Sequence, residues 1–320
     1  MHEAAECTPI AVRFLPEPLF TWADLRDVRF VEPFFRDTLA RLPKDKLKAL
    51  TGVDVLRALD DRPTFEPSLF IFQVSRCGST LLAQMLAALP DYVVLSEVNV
   101  VNSIIAARLE PQDKVELLRL VVRALGRNRA GARHVVLKLT SWNVLAANLL
   151  HRAFPATPMI WLQRDPLPVL ASHAALPAAW LTWRETGDPG LALFGLTVDE
   201  ARAMSAARFR LHAIEALFAA AHAAKLPFRT IDYAQLPDAL WDEVAPHAQL
   251  TFTPSAIERM RERARFDSKT QGEQPFRARE HAPLSDEERQ LVAERIAPLY
   301  RTMRGDEAEP RQLAQPALDR

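Results

Sequence analysis

Five short apolar runs, separated by stretches of helix length, constrain this chain more than any other feature. They are Leu69–Val74, Val93–Leu95, Val135–Leu137, Met159–Leu162 and Phe228–Ile231. A continuous apolar run suits a strand covered on both faces, because a face left in water would impose alternation. Between the runs the pattern changes to helical. Ser79 to Leu89 stops at Pro90, Pro111 to Leu125 carries Leu117, Leu118, Val121 and Val122 on one stripe, and Trp142 to Phe154 is closed by Pro155. Pro166 suits the first turn of a further helix, and Thr197 with Glu200 forms a capping box opening an alanine-rich helix to Leu226. A last helix is expected from Ser285 to Met303. Strands alternating with helices predict an α/β fold of three layers: a central parallel sheet of about five strands with helices on both faces. This domain is expected over residues 66–305. Residues 1–65, rich in aromatics and punctuated by proline, are expected to form a mostly helical cap, and residues 306–320 a tail.

Glycine narrows the choice of nucleotide cradle. The 320 residues hold 9 glycines against 24 prolines, where average usage would give about 22 glycines. No G-x-G-x-x-G and no G-x-x-x-x-G-K-[ST] occurs, so the common dinucleotide fingerprint and the Walker A loop are both missing. Any phosphate cradle must work with one glycine. The 40 basic and 40 acidic side chains cancel, which argues against nucleic acid as a partner, since that surface demands a basic surplus. An apolar fraction of 49% supports a sizeable core. The two cysteines, Cys7 and Cys77, make no C-x-x-C and no metal set. No apolar leader is read beside His2, Glu3 and Glu6, and no apolar run approaches the length of a membrane span. A cytoplasmic protein is therefore expected.

In open α/β sheets ligands bind outside the carboxyl ends of the strands. The first strand is followed by Ser75-Arg76-Cys77-Gly78-Ser79-Thr80, the second by Ser96-Glu97, and the fourth by Arg164-Asp165-Pro166; Lys138 ends the third. Two arginines, a lysine and one carboxylate thus share a rim, which suits an anionic ligand and one base. The strand–turn–helix is the most informative element, because a helix N-terminus presents free N–H groups and the positive end of the dipole. Gly78 removes a side chain where the backbone must approach a ligand, Ser79 and Thr80 add hydroxyls, and Arg76 adds a charge. A capped helix with a solvated arginine is the structural alternative. Arg164 and Ser172, eight residues apart on one helix face, could hold a second phosphate.

These residues resemble the sulfotransferase family, which takes sulfuryl groups from 3′-phosphoadenosine 5′-phosphosulfate (PAPS) and releases 3′-phosphoadenosine 5′-phosphate (PAP). The resemblance spans roughly residues 68–275 and implies a P-loop-type fold. The family's 5′-phosphosulfate loop, [KR]-[ST]-G-[ST]-T, is matched by Arg76 to Thr80 except at Cys77, and its arginine–serine pair for the 3′-phosphate by Arg164 and Ser172. Arginine in the loop is most similar to the tyrosylprotein-sulfotransferase subgroup. Glu97, 21 residues after Arg76, and Lys138, 26 before Arg164, stand where that subgroup has its base and its lysine. Asp232-Tyr233-x-x-Leu236 resembles a segment whose tyrosine lies near the adenine, and Phe266-Asp267-Ser268-Lys269 a basic loop closing over the nucleotide.

The resemblance implies a metal-independent in-line transfer to a hydroxyl or amine, with Glu97 as base and Arg76 and Lys138 stabilising charge. Arg76, Cys77, Gly78, Ser79, Thr80, Arg164, Ser172, Tyr233 and Lys269 would bind the nucleotide. A small molecule, a lipid or a glycan is the expected acceptor. A P-loop kinase or hydrolase, which would want lysine directly after the loop glycine, and a non-catalytic nucleotide-binding protein of the same fold are the competing readings. Cys77 is expected as a small filler, although a helix N-terminus can lower a thiol pKa. His173 is expected to be structural. Trp180 and Trp183 are expected to line an acceptor pocket, to form a lid or to pack their own loop.

Overall fold

The computed structural model describes residues 6–127, 131–270, 274–275 and 283–306. Among the described residues, eight strands form two sheets. The first three are β1 (Thr8–Phe14), β2 (Pro18–Ala23) and β3 (Leu47–Thr51); the other five are β4 (Pro67–Gln73), β5 (Tyr92–Ser96), β6 (His134–Lys138), β7 (Met159–Gln163) and β8 (Phe228–Asp232). The larger sheet runs in the order β5-β6-β4-β7-β8, and every pair in it is parallel. All five apolar runs are its strands, flanked by helices as the alternation requires. Leu69, Phe70, Ile71 and Phe72 of the central strand expose nothing, and each such side chain contributes about 1.5–3 kcal/mol relative to exposure. The chain leaves β4 toward β5, returns through β6, then crosses to β7 and β8. The reversal places a crevice outside the carboxyl end of β4, where ligands bind in sheets of this kind.

The helical cap expected over residues 1–65 is instead built on β1, β2 and β3, which pair antiparallel. Two short helices, α1 (Phe35–Ala40) and α2 (Val53–Ala58), accompany them. The reason is a period of two. Ile10 and Val12 face inward with Arg13 outward, and Phe20 and Trp22 are buried on either side of the half-buried Thr21. Pro16 and Pro18 mark the turn between β1 and β2 rather than breaks between helices. Phe20, Trp22, Leu25 and Phe35 join the same buried cluster as the main sheet.

Further helices are α3 (Ser79–Ala87), α4 (Asn99–Ala106), α5 (Pro111–Leu125), α6 (Ala147–Ala153) and α7 (Pro166–Ala175). The expected helix at Trp142 starts as a 3-10 turn, Ser141–Ala146, because Thr140 and Asn143 cap each other. The alanine-rich helix is two helices, Val198–Ala203 and Ala206–Ala223: the Ser205 side chain accepts from the Arg208 N–H and starts the second. The final helix widens to a π turn over Val292–Ile296, just before Pro298, which has no N–H to continue the ladder. No helix of the described residues is long and apolar enough to cross a membrane.

Candidate active site

A cavity of about 1150 Å³ opens over the carboxyl ends of the central strands. All eleven residues singled out from the sequence line it: Arg76, Cys77, Gly78, Ser79, Thr80, Glu97, Lys138, Arg164, Ser172, Tyr233 and Lys269. They come from five strand ends, two helices and one late loop, so only the tertiary fold assembles them.

The loop between β4 and α3 has a left-handed backbone at Ser75 (φ 80°), Arg76 (φ 53°) and Gly78 (φ 86°). Residues other than glycine in that region cost about 1–3 kcal/mol and persist only where surroundings hold them. Gln73, the last residue of β4, does much of the holding. Its side-chain oxygen accepts from the Ser75 N–H at 3.0 Å, the Ser79 hydroxyl at 3.0 Å and the Cys77 thiol at 3.7 Å, and its amide nitrogen donates to the Leu139 carbonyl at 3.2 Å. The Arg164 guanidinium donates to the Arg76 carbonyl at 3.2 Å, and that of Arg76 reaches the Leu176 carbonyl at 2.6 Å. α3 receives no side-chain cap from its N-cap residue, Gly78. Its N–H groups therefore keep the capacity for an anion that helix N-termini have.

Gly78 serves a further purpose than backbone approach to a ligand. A Cβ there would stand 2.7 Å from Leu236 Cδ1 and 2.9 Å from Tyr233 Cδ2. The missing side chain lets Tyr233 lie on the loop, while the Tyr233 ring carries the Arg164 guanidinium 4.3 Å above its centre. Asp232 fixes this tyrosine: its side chain accepts from the Ala234 N–H at 2.9 Å and from the Tyr300 hydroxyl at 2.7 Å. Ser172 lies on α7, two turns beyond Arg164, and faces the same cavity. Lys269 is exposed in a turn whose backbone N–H donates to the Asp267 carboxylate at 2.7 Å.

Glu97 and Lys138 meet because β5 and β6 pair with Ser96 opposite Lys138. The Glu97 N–H donates to the Lys138 carbonyl at 2.7 Å, its backbone turns left-handed (φ 56°), and its carboxylate accepts from the Lys138 ammonium. The Lys138 side chain is 1% exposed and that of Glu97 28%. A buried ammonium is costly unless paired. Here the carboxylate and the Phe34 ring, whose centre is 5.2 Å from Nζ, offset that cost. Glu97 keeps enough exposure to meet a second molecule in the cavity.

Cys77 is fully buried, and burial pushes its thiol up to about 11. Desolvation outweighs the helix N-terminus, and the residue is a neutral filler. His173 is buried against the Trp180 ring at 5.8 Å. Burial first, and then the charge of Arg76, lower its pKa to about 3. Trp180 and Trp183 both line the cavity while packing on Phe194 at 5.6 and 6.2 Å.

Two contributors escaped the sequence reading. Gln73 is one polar residue closing an apolar strand, and that position two residues before the loop was its only signal. Phe34 belongs to the N-terminal unit, where no motif pointed to it. Gln73→Leu should weaken the loop, since a buried donor left without its acceptor costs about 1–3 kcal/mol. The expected result is a stability loss of about 2 kcal/mol by urea denaturation; unchanged stability would mean the loop holds its shape without Gln73.

A five-stranded parallel sheet flanked by helices, with a basic, hydroxyl-lined loop opening a helix at its carboxyl edge, defines an α/β protein. A family model described as "Sulfotransferase family" matches residues 67–237, more than half of the chain. The chain belongs to the sulfotransferase family, and a transferase is the class of protein this supports. Sulfotransferase STF9 from Mycobacterium avium is similar in structure, with 13% sequence identity, 81% of this chain and 82% of that chain covered, and a TM-score of 0.50. At such identity the likeness is one of fold. A sulfotransferase from Alicyclobacillus acidocaldarius also matches, at 13% identity over 75% of this chain and 95% of that one, with a TM-score of 0.39. No curated protein sequence matches the chain.

Proposed function

We propose that the chain is a PAPS-dependent sulfotransferase acting on a hydroxyl or amine, with Glu97 as the base. The observation that carries this reading is that Arg76, Glu97, Lys138, Arg164 and the first turn of α3 line one cavity. The donor set fits the nucleotide. The loop amides, Ser79, Thr80 and Arg76 stand together for the 5′-phosphosulfate, while Arg164 and Ser172 stand together for the 3′-phosphate. Tyr233 would lie by the adenine, and Lys269 would close over the nucleotide from its turn. The 21- and 26-residue spacings of Arg76–Glu97 and Lys138–Arg164 support a charge arrangement like that of the tyrosylprotein subgroup. They say nothing about a peptide acceptor.

When bound, PAPS would supply a sulfuryl group whose S–O bond to the 5′-phosphate breaks as the acceptor oxygen or nitrogen bonds to sulfur. Glu97 would take the proton from the acceptor. Arg76 and Lys138 would stabilise the charge that grows on the departing phosphate oxygen. Fixed donors in a site shielded from water supply most of the barrier lowering in many group transfers. The Lys138 ammonium, held by the Glu97 carboxylate, would turn from it to an anion.

The role given to Arg164 is tested by comparing two nucleotides. Arg164→Ala should weaken PAP by about 10- to 100-fold in calorimetry. It should change adenosine 5′-phosphosulfate, which has no 3′-phosphate, far less. Equal losses for both would contradict the assignment.

A further inference from the structure

A second cavity, of about 520 Å³, opens between the helix Ala206–Ala223 and the π turn Val292–Ile296, and it shares no described lining residue with the candidate active site. Its volume lies in the range of small-molecule sites. Arg208, Leu211, His212 and Glu215 form one wall, because steps of three, four and seven residues fall on one helix face. Leu291, Arg295 and Ile296 form the facing wall. π turns are rare, and many mark functional sites. This one brings Arg295 across to Glu215, and their forked pair, at 3.0 and 2.7 Å, joins the two walls and cancels both charges. Arg208 is held differently. Its partner Glu287 is not among the described lining residues and is 69% exposed, so that pair is a solvated one of small worth. The described lining therefore keeps one positive charge, which an anion could take over at little cost.

We infer that this cavity is a second binding site, for an amphipathic organic anion: an apolar body carrying one carboxylate. The apolar body would lie on Leu211, Leu291 and Ile296, and the carboxylate would take Arg208 from Glu287. A cation fits poorly, because Glu215, the one carboxylate of the described lining, already holds Arg295 with both oxygens.

The test is calorimetry of the full chain with octanoate and 1-octanol as probes, with and without saturating PAP. Octanoate is expected to bind saturably and equally well in the presence of PAP. 1-Octanol should bind at least about tenfold more weakly, the worth of one charge-assisted hydrogen bond. Arg208→Gln should weaken octanoate about tenfold and change 1-octanol little. Ala203 lies exposed at the rim, so Ala203→Phe would fill the cavity from outside the core and should abolish binding of both probes. Arg208 is exposed as well, and both variants should fold as wild type does. No octanoate binding to wild type, wild-type octanoate affinity in either variant, or 1-octanol binding as tightly as octanoate would overturn the inference. Displacement of octanoate by PAP would overturn it too, by placing octanoate in the nucleotide cavity. The two variants decide the matter even in a chain that binds no PAP, so the second site stands or falls apart from the sulfuryl-transfer reading.

Discussion

Glu97→Gln should lower turnover by about 10²- to 10⁴-fold, the usual worth of a positioned general base, without weakening PAP. The substitution keeps the volume and leaves an oxygen able to accept from Lys138, so the geometry between β5 and β6 survives. What it removes is the group that takes the acceptor's proton. It also removes a negative charge from a basic cavity, and an anionic ligand should bind no worse for that. The pattern to look for is a collapse of kcat with PAP affinity equal to or tighter than wild type. The buried Lys138 loses its charged partner, so the free variant should melt at a lower temperature, and PAP should recover more stability in it than in wild type. Full turnover with normal PAP binding would show that Glu97 is not the base.

Lys138→Met should also cost about 10²- to 10³-fold in turnover, comparable to removing one donor from an oxyanion site. Methionine fills the same apolar channel beside Phe34 and removes only the ammonium. Glu97 is left without its ion pair but 28% exposed, so water can solvate it. The melting temperature should therefore change little although activity falls. The contrast between the two variants is informative: losing the carboxylate strands a buried cation, whereas losing the cation strands a half-exposed carboxylate. If Lys138→Met unfolds the chain while Glu97→Gln does not, the pair is structural rather than catalytic.

Much of this arrangement was legible in the sequence, for a physical reason. Strands buried on both faces leave unbroken apolar runs, and in β4 to β8 each run stops where the chain meets the cavity. Reading the second residue after the first, second and fourth runs therefore found Arg76, Glu97 and Arg164, and the residue directly after the third found Lys138. The N-terminal sheet was less visible. Its strands are unevenly buried, with four buried residues in β1, three in β2 and none in β3, and prolines beside aromatics suit short helices as well as turns; the spacing of Phe20 and Trp22 was the signal that distinguished them. Gln73 and Phe34 were hidden for different reasons. Gln73 acts through its neighbours' backbone, which leaves no motif. Phe34 reaches Lys138 across a gap of about a hundred residues in sequence, and only the packing of the N-terminal unit brings it there. Cys77 shows local reasoning losing to the tertiary environment, since complete burial raises a thiol that a helix N-terminus alone would lower.

A cavity that takes a 3′-phosphorylated adenine nucleotide through protein side chains and the first turn of α3 would bind PAP without a metal. Calorimetry of the full chain against PAP in the presence of a metal chelator, with ATP and magnesium as the comparison, tests it most directly. Saturable micromolar-range binding of PAP, unaffected by the chelator and tighter than that of ATP with magnesium, is the result expected. Tight binding of ATP with magnesium and none of PAP would contradict it.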